Sequence, residues 1–151
     1  MRAVDTNILV AAHIETIPEH RTAHDLLILL AEGDLPWAIP WPCVYEFLRV
    51  STHPRIFHPP LPLDRALRSL SNLLKSPTLL LLSETHRHAE VMERVVSESG
   101  AAGNVVHDAH IAALCIEHGV REIVTGDRDF RRFDGLTLIN PFAASGKTGV
   151  D

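Results

Sequence analysis

The sequence predicts an α/β fold: a three-layer sandwich in which helices flank a mainly parallel sheet of four or five strands. Short apolar segments of strand length alternate along the chain with longer segments whose apolar residues recur at helical spacing. That alternation is typical of right-handed crossovers, which place strands side by side in parallel. The chain has 151 residues, of which 46% are hydrophobic, enough for one domain with a sizeable core. We expect the domain at residues 1–142 and a C-terminal tail at residues 143–151.

The N-terminal third contains two predicted strands and two predicted helices. Its segments are a strand at 2–4, an apolar run at 8–12, a loop at 13–20, a helix at 21–31, a strand at 35–41 and a helix at 42–50. Gly33 ends the first helix. Pro36 and Pro40 remove backbone donors from the second strand, and Pro42 suits the first turn of the helix that follows.

The rest of the chain continues the alternation. Its predicted segments are an extended surface loop at 53–62, a helix at 64–75, a buried strand at 78–82, helices at 85–97 and 105–118, and strands at 122–124 and 136–139. The loop is rich in proline, which interrupts regular structure. Asn104 is expected to cap the helix at 105–118, and Gly119 to end it.

Composition restricts the possible functions. The formal net charge of -5 argues against a general polyanion binder, although 12 of the 14 basic residues are arginine, which suits bidentate contact with phosphate. Cys43 and Cys115 lie in apolar helical patterns and are expected to be buried free thiols. Because no apolar run reaches the length of a membrane span and no basic leader precedes the first strand, we expect a cytoplasmic protein.

The segment EIVTGDRDF at 122–130 carries the strongest functional signal. A short strand ends at Thr125 and Gly126, and a turn then presents Asp127 and Asp129. The first strand likewise runs into Asp5. In an open parallel sheet the ligand crevice lies outside the carboxyl ends of the strands, so these acids are well placed for chemistry.

Glu46 and Asp108 lie inside otherwise apolar helical patterns, where a carboxylate is costly unless something compensates it. A divalent cation would compensate all five acids. An all-oxygen set suits Mg²⁺ or Mn²⁺ and lacks the Cys and His ligands expected for zinc. Taken singly, each acid is more simply explained as a helix cap or a solvated surface charge, and only the set favours a metal site.

Four motifs together resemble a PIN domain, and specifically the VapC-type ribonuclease toxins. They are AVDTNILVAA at the N-terminus, CVYEFLRV, VVHDAHIAAL and TGDRDF, in the family's order and covering residue 1 to about Phe142. The resemblance implies a PIN-like sandwich in which the catalytic and metal-binding acids are Asp5, Glu46, Asp108 and Asp127. It also implies Asp129 as a further metal-binding acid and Thr6, Asn7 and Thr125 as auxiliary residues. We expect Asn7 to order the first turn by bonding backbone groups.

The resemblance also implies the chemistry and the partners. One or two Mg²⁺ or Mn²⁺ ions would activate water for in-line attack on an RNA phosphodiester, leaving a 5′-phosphate and a 3′-hydroxyl. The toxin would form a homodimer and would be inhibited by a cognate VapB-type antitoxin. An antitoxin Arg or Lys could enter the acidic pocket, while apolar anchors fill a groove between the helices at 21–31 and 42–50.

Exposed basic residues near the predicted site are candidates for RNA contact, since single-stranded RNA is held by arginine and by stacking on flat side chains. The candidates are Arg49, Arg55, Arg128, Arg131 and Arg132, with His53 and His58. The plain alternative for each is a solvated charge.

Four other functions remain open on the sequence. His107, Asp108 and His110 would suit an HD-type metal phosphohydrolase, but that family is all-helical and strands are predicted here. A metal-free ribonuclease with paired histidines would leave a cyclic phosphate. A phosphatase with Asp5 as nucleophile would need a second Asp where Asn7 stands. A catalytically idle PIN-like module would only bind a partner.

Overall fold

Five short parallel strands form one sheet in the computed structural model, which describes residues 1–143. They are β1 (Arg2–Val4), β2 (Trp37–Pro40), β3 (Leu79–Leu82), β4 (Glu122–Val124) and β5 (Thr137–Ile139). Their order is β3-β2-β1-β4-β5, and each neighbouring pair is parallel. The predicted α/β class is therefore confirmed, with the sheet parallel throughout. Residues 144–151 of the predicted tail lie outside the described residues.

Helices flank this sheet. They are α1 (Thr6–His13), α2 (His20–Glu32), α3 (Trp41–Ser51), α4 (Leu63–Leu73), α5 (His88–Ser99) and α6 (Val105–Glu117), with a 3₁₀ helix at Arg128–Arg132. α1 packs against α2 and α3, α3 packs against α4, and α5 packs against α6. The core between them contains the fully buried rings of Trp37, Phe47 and Phe130. Within residues 1–143, no helix is long and apolar enough to cross a membrane.

Most predicted elements form within a few residues of their expected positions. The apolar run after Asn7 is α1, whose residues from Ile8 to Ala12 are all buried. β2 forms despite its prolines, because Pro36 lies just outside the strand and Pro40 is its last residue. The helix predicted at 85–97 begins later, at His88, and the backbone N–H of Thr85 donates to the Glu117 carboxylate at 2.9 Å.

Three local predictions are wrong. The strand predicted as buried at 78–82 lies at the edge of the sheet, so that Leu80 is 49% exposed and only Leu82 is fully covered. Asn104 does not cap α6 with its side chain, because its backbone is already helical and no cap hydrogen bond forms. The loop at 53–62 is not extended: it folds into turns, and its buried Leu61 donates a backbone hydrogen bond to Ser51 at 2.8 Å.

The register of the sheet brings the sequence-distant acids to one edge. Val4 pairs with Val124, so the residues that follow β1 and β4, Asp5 and Thr125, lie side by side. α3 starts where β2 ends, and α6 precedes β4, so that its first turn returns to the same edge. The carboxyl edge of the sheet therefore receives side chains from two strand ends and two helices.

Candidate active site

A pocket of ≈ 630 Å³ opens at this edge of the sheet. Four of the five predicted acids line it, and the fifth, Asp129, lies beside it in the 3₁₀ helix. The lining residues are Asp5, Thr6, Asn7, Val10, Ala11, Ile17, Glu19, Glu46, Val50, His107, Asp108, Ile111, Gly126, Asp127 and Phe142. Acidic groups thus share the pocket with an apolar wall.

Asp5 is buried at the base of the pocket and is fully hydrogen-bonded. Its Oδ1 accepts from the backbone N–H of Thr6 at 2.7 Å and from the Cys43 thiol at 3.7 Å. Its Oδ2 accepts from Asn7 Nδ2 at 2.9 Å and from the Thr125 hydroxyl at 2.7 Å. Burial raises the pKa of Asp5, and the hydrogen bonds from Thr125, Thr6 and Cys43 oppose that rise. The protein itself therefore supplies donors for this carboxylate.

Asn7 and Thr125 connect the ends of β1 and β4. Asn7 Nδ2 also donates to the Thr125 hydroxyl at 2.8 Å, and Asn7 Oδ1 accepts from the backbone N–H of Gly126 at 3.0 Å. The Thr125 hydroxyl accepts a further bond from the backbone N–H of Asp127 at 3.0 Å. Asn7 thus bonds a backbone group, as predicted, but on the neighbouring strand's turn rather than on its own. This network fixes the direction in which the acidic turn leaves β4.

Asp127, Asp129 and Asp108 form a compact carboxylate trio, which we call the acidic trio. Asp127 caps the 3₁₀ helix by accepting from the backbone N–H of Asp129 at 2.9 Å, and the buried ring of Phe130 anchors that helix. Asp108 approaches from the first turns of α6. One carboxylate oxygen from each lies within 4.8 Å of the others. This spacing and donor type fit a hard divalent cation such as Mg²⁺.

The acidic trio is not electrically balanced by the protein. Burial raises the pKa of Asp108 to about 6, and the negative charges of Asp127, Asp5 and Asp129 add to the rise. Arg132 acts in the opposite direction but ranks last among these influences. A carboxyl whose ionised form is disfavoured by like charges is stabilised when a cation binds among them.

Glu46 lines the pocket from α3 but does not belong to the acidic trio. Arg49, one helical turn further on, donates from Nε to Glu46 Oε2 at 3.0 Å. That hydrogen bond and the positive charge of Arg49 lower the pKa of the Glu46 carboxyl. Its side chain is 27% exposed, so water reaches the pair. Of the five predicted acids, Glu46 is the one that the fold neutralises with a neighbouring cation.

The candidate RNA-contacting arginines fall into two groups. Arg128, Arg131 and Arg132 are exposed on the 3₁₀ helix next to the acidic trio. Arg49 is occupied by Glu46, and Arg55 is exposed on the loop at 53–62, where its backbone N–H donates to His53. Positive charge therefore lies beside the acidic trio, whereas the charge of Arg49 on α3 is paired with Glu46.

Several residues of the site were not predicted from the sequence. Cys43 was expected to be a buried thiol, which it is, but its contact with Asp5 was not foreseen. Gly126 packs closely against Phe142: a Cβ at Gly126 would lie 3.2 Å from the nearest atom of that ring. Thr6, by contrast, was predicted as an auxiliary residue, and its buried hydroxyl has no hydrogen-bond partner among residues 1–143.

Comparison with known proteins identifies relatives across nearly the whole described chain. The PIN domain family model matches residues 2–136. Ribonuclease VapC37 of Mycobacterium tuberculosis is 34% identical over 145 residues, covering 93% of this chain and 97% of that protein. Ribonuclease VapC25 of the same organism is 33% identical over 141 residues, covering 93% and 99%.

Solved structures share the fold at lower identity. VapBC2 from Rickettsia felis, bound to a DNA fragment from its promoter, superposes with a TM-score of 0.64 at 23% identity, covering 92% of this chain and 97% of that one. VapC20 from Mycobacterium tuberculosis, described as a toxin that cleaves the sarcin-ricin loop, superposes with a TM-score of 0.63 at 17% identity. The match covers 87% of this chain and 93% of that one. At these identities the superpositions support the fold.

Proposed function

Because this chain belongs to the PIN domain family and to its VapC ribonuclease group, we propose that it is the toxin of a type II toxin–antitoxin pair, a cytoplasmic endoribonuclease dependent on Mg²⁺ or Mn²⁺. The observation that carries the proposal is the acidic trio. Three carboxylates converge within 4.8 Å, and burial and mutual repulsion hold the pKa of Asp108 near 6. A site of this kind is costly to the free protein unless a cation binds there.

Asp108, Asp127 and Asp129 would hold the cation, and Asp5 and Glu46 would complete the site. All four hydrogen-bonding positions of Asp5 are in use, so it can reach an ion by giving up its weakest bond, the 3.7 Å contact from Cys43 to Oδ1. Glu46 would first have to leave Arg49. When bound, the cation would supply a water of lowered pKa and positive charge next to the phosphate.

The chain's own residues would position the reactants. Asn7 and Thr125 hold Asp5 and the turn of Asp127 in fixed relation, so the carboxylates keep their directions without a ligand. Asp108, with a pKa of about 6, is mostly ionised at neutral pH. The guanidinium groups of Arg128, Arg131 and Arg132, which are exposed, would bind phosphates that flank the scissile bond.

A cleavage assay with purified protein and RNA tests the proposal. Cleavage should stop in EDTA, return with Mg²⁺ or Mn²⁺, and yield 5′-phosphate and 3′-hydroxyl ends. Asp108→Asn should be folded and inactive. Asp134→Asn, which removes an exposed acid outside the pocket, is the matched control and should cleave normally. Full activity in EDTA with cyclic-phosphate ends would identify a metal-free histidine mechanism instead.

We also propose a VapB-type antitoxin as inhibitory partner. Related structures are VapBC and FitAB complexes, and the pocket here offers an antitoxin Arg or Lys a set of unbalanced carboxylates. Both helices predicted to form the antitoxin groove expose apolar side chains: Leu29 on α2 is 70% exposed and Tyr45 on α3 is 69% exposed. A largely disordered antitoxin segment could bury such residues on binding.

Co-expression with the neighbouring antitoxin gene should yield a stable complex that cleaves RNA only after the antitoxin is removed. A complex that is fully active would refute inhibition by occupation of the pocket, while leaving the nuclease proposal intact. Sedimentation of the free toxin tests the expected homodimer, whose mass would be twice the 16.7 kDa of one chain.

A further inference from the structure

A second cluster of metal-ligating side chains lies outside the acidic pocket. It consists of Glu84 on the loop after β3, His88 at the start of α5 and His110 on α6. One donor atom from each residue lies within 4.8 Å of the other two. None of the three lines the acidic pocket, which Asp108 and Asp127 of the acidic trio line. Unlike the trio, this cluster combines two imidazoles with one carboxylate.

Glu117 orients one of the two histidines. Its carboxylate is completely buried, and Oε2 accepts from His88 Nδ1 at 2.8 Å while Oε1 accepts from the backbone N–H of Thr85 at 2.9 Å. A carboxylate that binds Nδ1–H fixes the tautomer and leaves the Nε2 lone pair for a metal. Carboxylate–histidine pairs of this kind are the usual outer shell of zinc sites.

His110 and Glu84 already contact each other. His110 Nε2 donates to Glu84 Oε1 at 2.8 Å, and the rings of His88 and His110 have centroids 5.5 Å apart. The side chains are partly open to water, at 21% for His88, 35% for His110 and 51% for Glu84. An ion therefore has a path of entry, and a water can fill the fourth position of a tetrahedral site.

We propose that Glu84, His88 and His110 form a zinc site, with Glu117 as the buried residue that orients His88. The single proton of the neutral His110 ring would move to Nδ1, so that Nε2 coordinates the ion and Glu84 Oε1 faces the metal instead of an N–H. Two imidazoles and a carboxylate are ligands that Zn²⁺ accepts, and Zn²⁺ binds such donors more tightly than Mn²⁺ or Co²⁺.

The site would stabilise the part of the molecule that carries Asp108. Its ligands come from the β3–α5 loop, α5 and α6, so one ion would cross-link three segments that now touch through packing and hydrogen bonds. His110 lies two residues after Asp108 on α6 but outside the acidic pocket. Because binding to the native state alone stabilises it, Zn²⁺ should raise the melting temperature of the full chain.

Zinc affinity of the metal-stripped full chain, measured by competition with a chromophoric chelator in excess Mg²⁺, tests the site. Wild type should bind one equivalent of Zn²⁺, and His88→Gln and His110→Gln should lose it. Glu117→Gln should weaken binding by about 10- to 100-fold, as expected for an outer-shell partner. His86→Gln, which removes an exposed histidine of the same loop, and Asp108→Asn should both keep it.

A measurement on the wild-type chain covers the case in which a variant does not fold. Addition of Zn²⁺ should shift the ring NMR signals of His88 and His110 and leave those of His86 unchanged. The proposal is overturned if wild type binds no zinc, if His110→Gln binds it as wild type does, or if the two ring signals do not move. Loss of zinc in Asp108→Asn with retention in His110→Gln would assign the ion to the acidic trio and would equally overturn it.

Discussion

Asp5 and Asp108 face the same pocket and burial raises the pKa of both, but they differ in the hydrogen bonds that the fold gives them. Asp5 is 5% exposed and accepts four hydrogen bonds, from Thr6, Asn7, Cys43 and Thr125. Asp108 has only the weak influence of Arg132 in its favour, and its pKa rises to about 6. The difference separates the carboxylate that the polypeptide supplies with hydrogen-bond donors from the carboxylates whose charge it leaves largely uncompensated. Asp5, Asn7 and Thr125 form a hydrogen-bonded frame. The uncompensated negative charge of the site lies on the acidic trio.

The largest expected effect is on catalysis, where the two acids should behave alike. Asp5→Asn and Asp108→Asn should each lower RNA cleavage by at least about a thousandfold, because a divalent cation contributes several kcal/mol to the transition state. Initial rates with Mg²⁺, measured beside Asp134→Asn, check this result. Activity within tenfold of wild type in Asp108→Asn would remove the acidic trio from the mechanism.

Stability without metal should separate the same two variants. Asp5→Asn places an amide N–H₂ against donors, so it should lower the free energy of unfolding by about 1–3 kcal/mol. Asp108→Asn removes an unbalanced charge and should raise that free energy by about 1 kcal/mol at pH 8, after allowance for screening by solvent. Urea unfolding in EDTA gives both values. Destabilisation of similar size in both variants would contradict the claim that the protein compensates the charge of Asp5 but not that of Asp108.

The pH dependence follows from the raised pKa of Asp108. Below pH 3.8, its usual pKa, Asp108 is protonated in both the folded and the unfolded chain. Between about 4 and about 6 the unfolded chain loses the proton first, so the native state binds more protons and stability falls as pH rises. The stability difference between wild type and Asp108→Asn in EDTA should therefore grow from pH 4 to pH 6 and level off above. A difference independent of pH would contradict the raised pKa.

Added Mg²⁺ should reverse that trend, since the cation binds the ionised carboxylate. The rise in melting temperature caused by Mg²⁺ should be larger at pH 8 than at pH 5 in wild type. It should be much reduced at both pH values in Asp108→Asn. Thermal scans at a fixed Mg²⁺ concentration measure this effect. An equal rise in melting temperature at both pH values in wild type would count against protonation of Asp108 between them.

The smallest effect is expected at Glu46. Arg49→Ala removes an exposed partner, so the melting temperature should change little. The pKa of Glu46 should rise towards its usual value, and the released carboxylate should bind the cation somewhat more tightly. Mg²⁺ titrations of Arg49→Ala test this expectation. Arg68→Ala is the control, because it removes an arginine from an exposed ion pair with Asp64 on α4. Weaker metal binding in Arg49→Ala would show that Arg49 supports the site.

The convergence of the five acids on one edge of the sheet could be predicted from the sequence, because each interrupts an apolar pattern or follows a strand, as Asp5 and Asp127 do. Their partners could not, because hydrogen bonds such as Thr125 to Asp5 join residues 120 positions apart and depend on the pairing of β1 with β4. The order of the strands in the sheet could not be predicted either, so the position of β3 at the edge was missed. The pairing of Glu46 with Arg49 depends on the rotamers of the two side chains, and the spacing of apolar residues in a sequence does not determine rotamers.

Binding of Mn²⁺ to the metal-free protein, followed by its EPR signal at neutral pH, tests the central claim most directly. The experiment is best made in the His110→Gln background, so that the Glu84, His88 and His110 cluster does not contribute. The chain should bind Mn²⁺, Asp134→Asn should bind it equally, and Asp108→Asn should bind it far more weakly. Equal binding with and without Asp108→Asn would contradict the assignment of the acidic trio as the cation site.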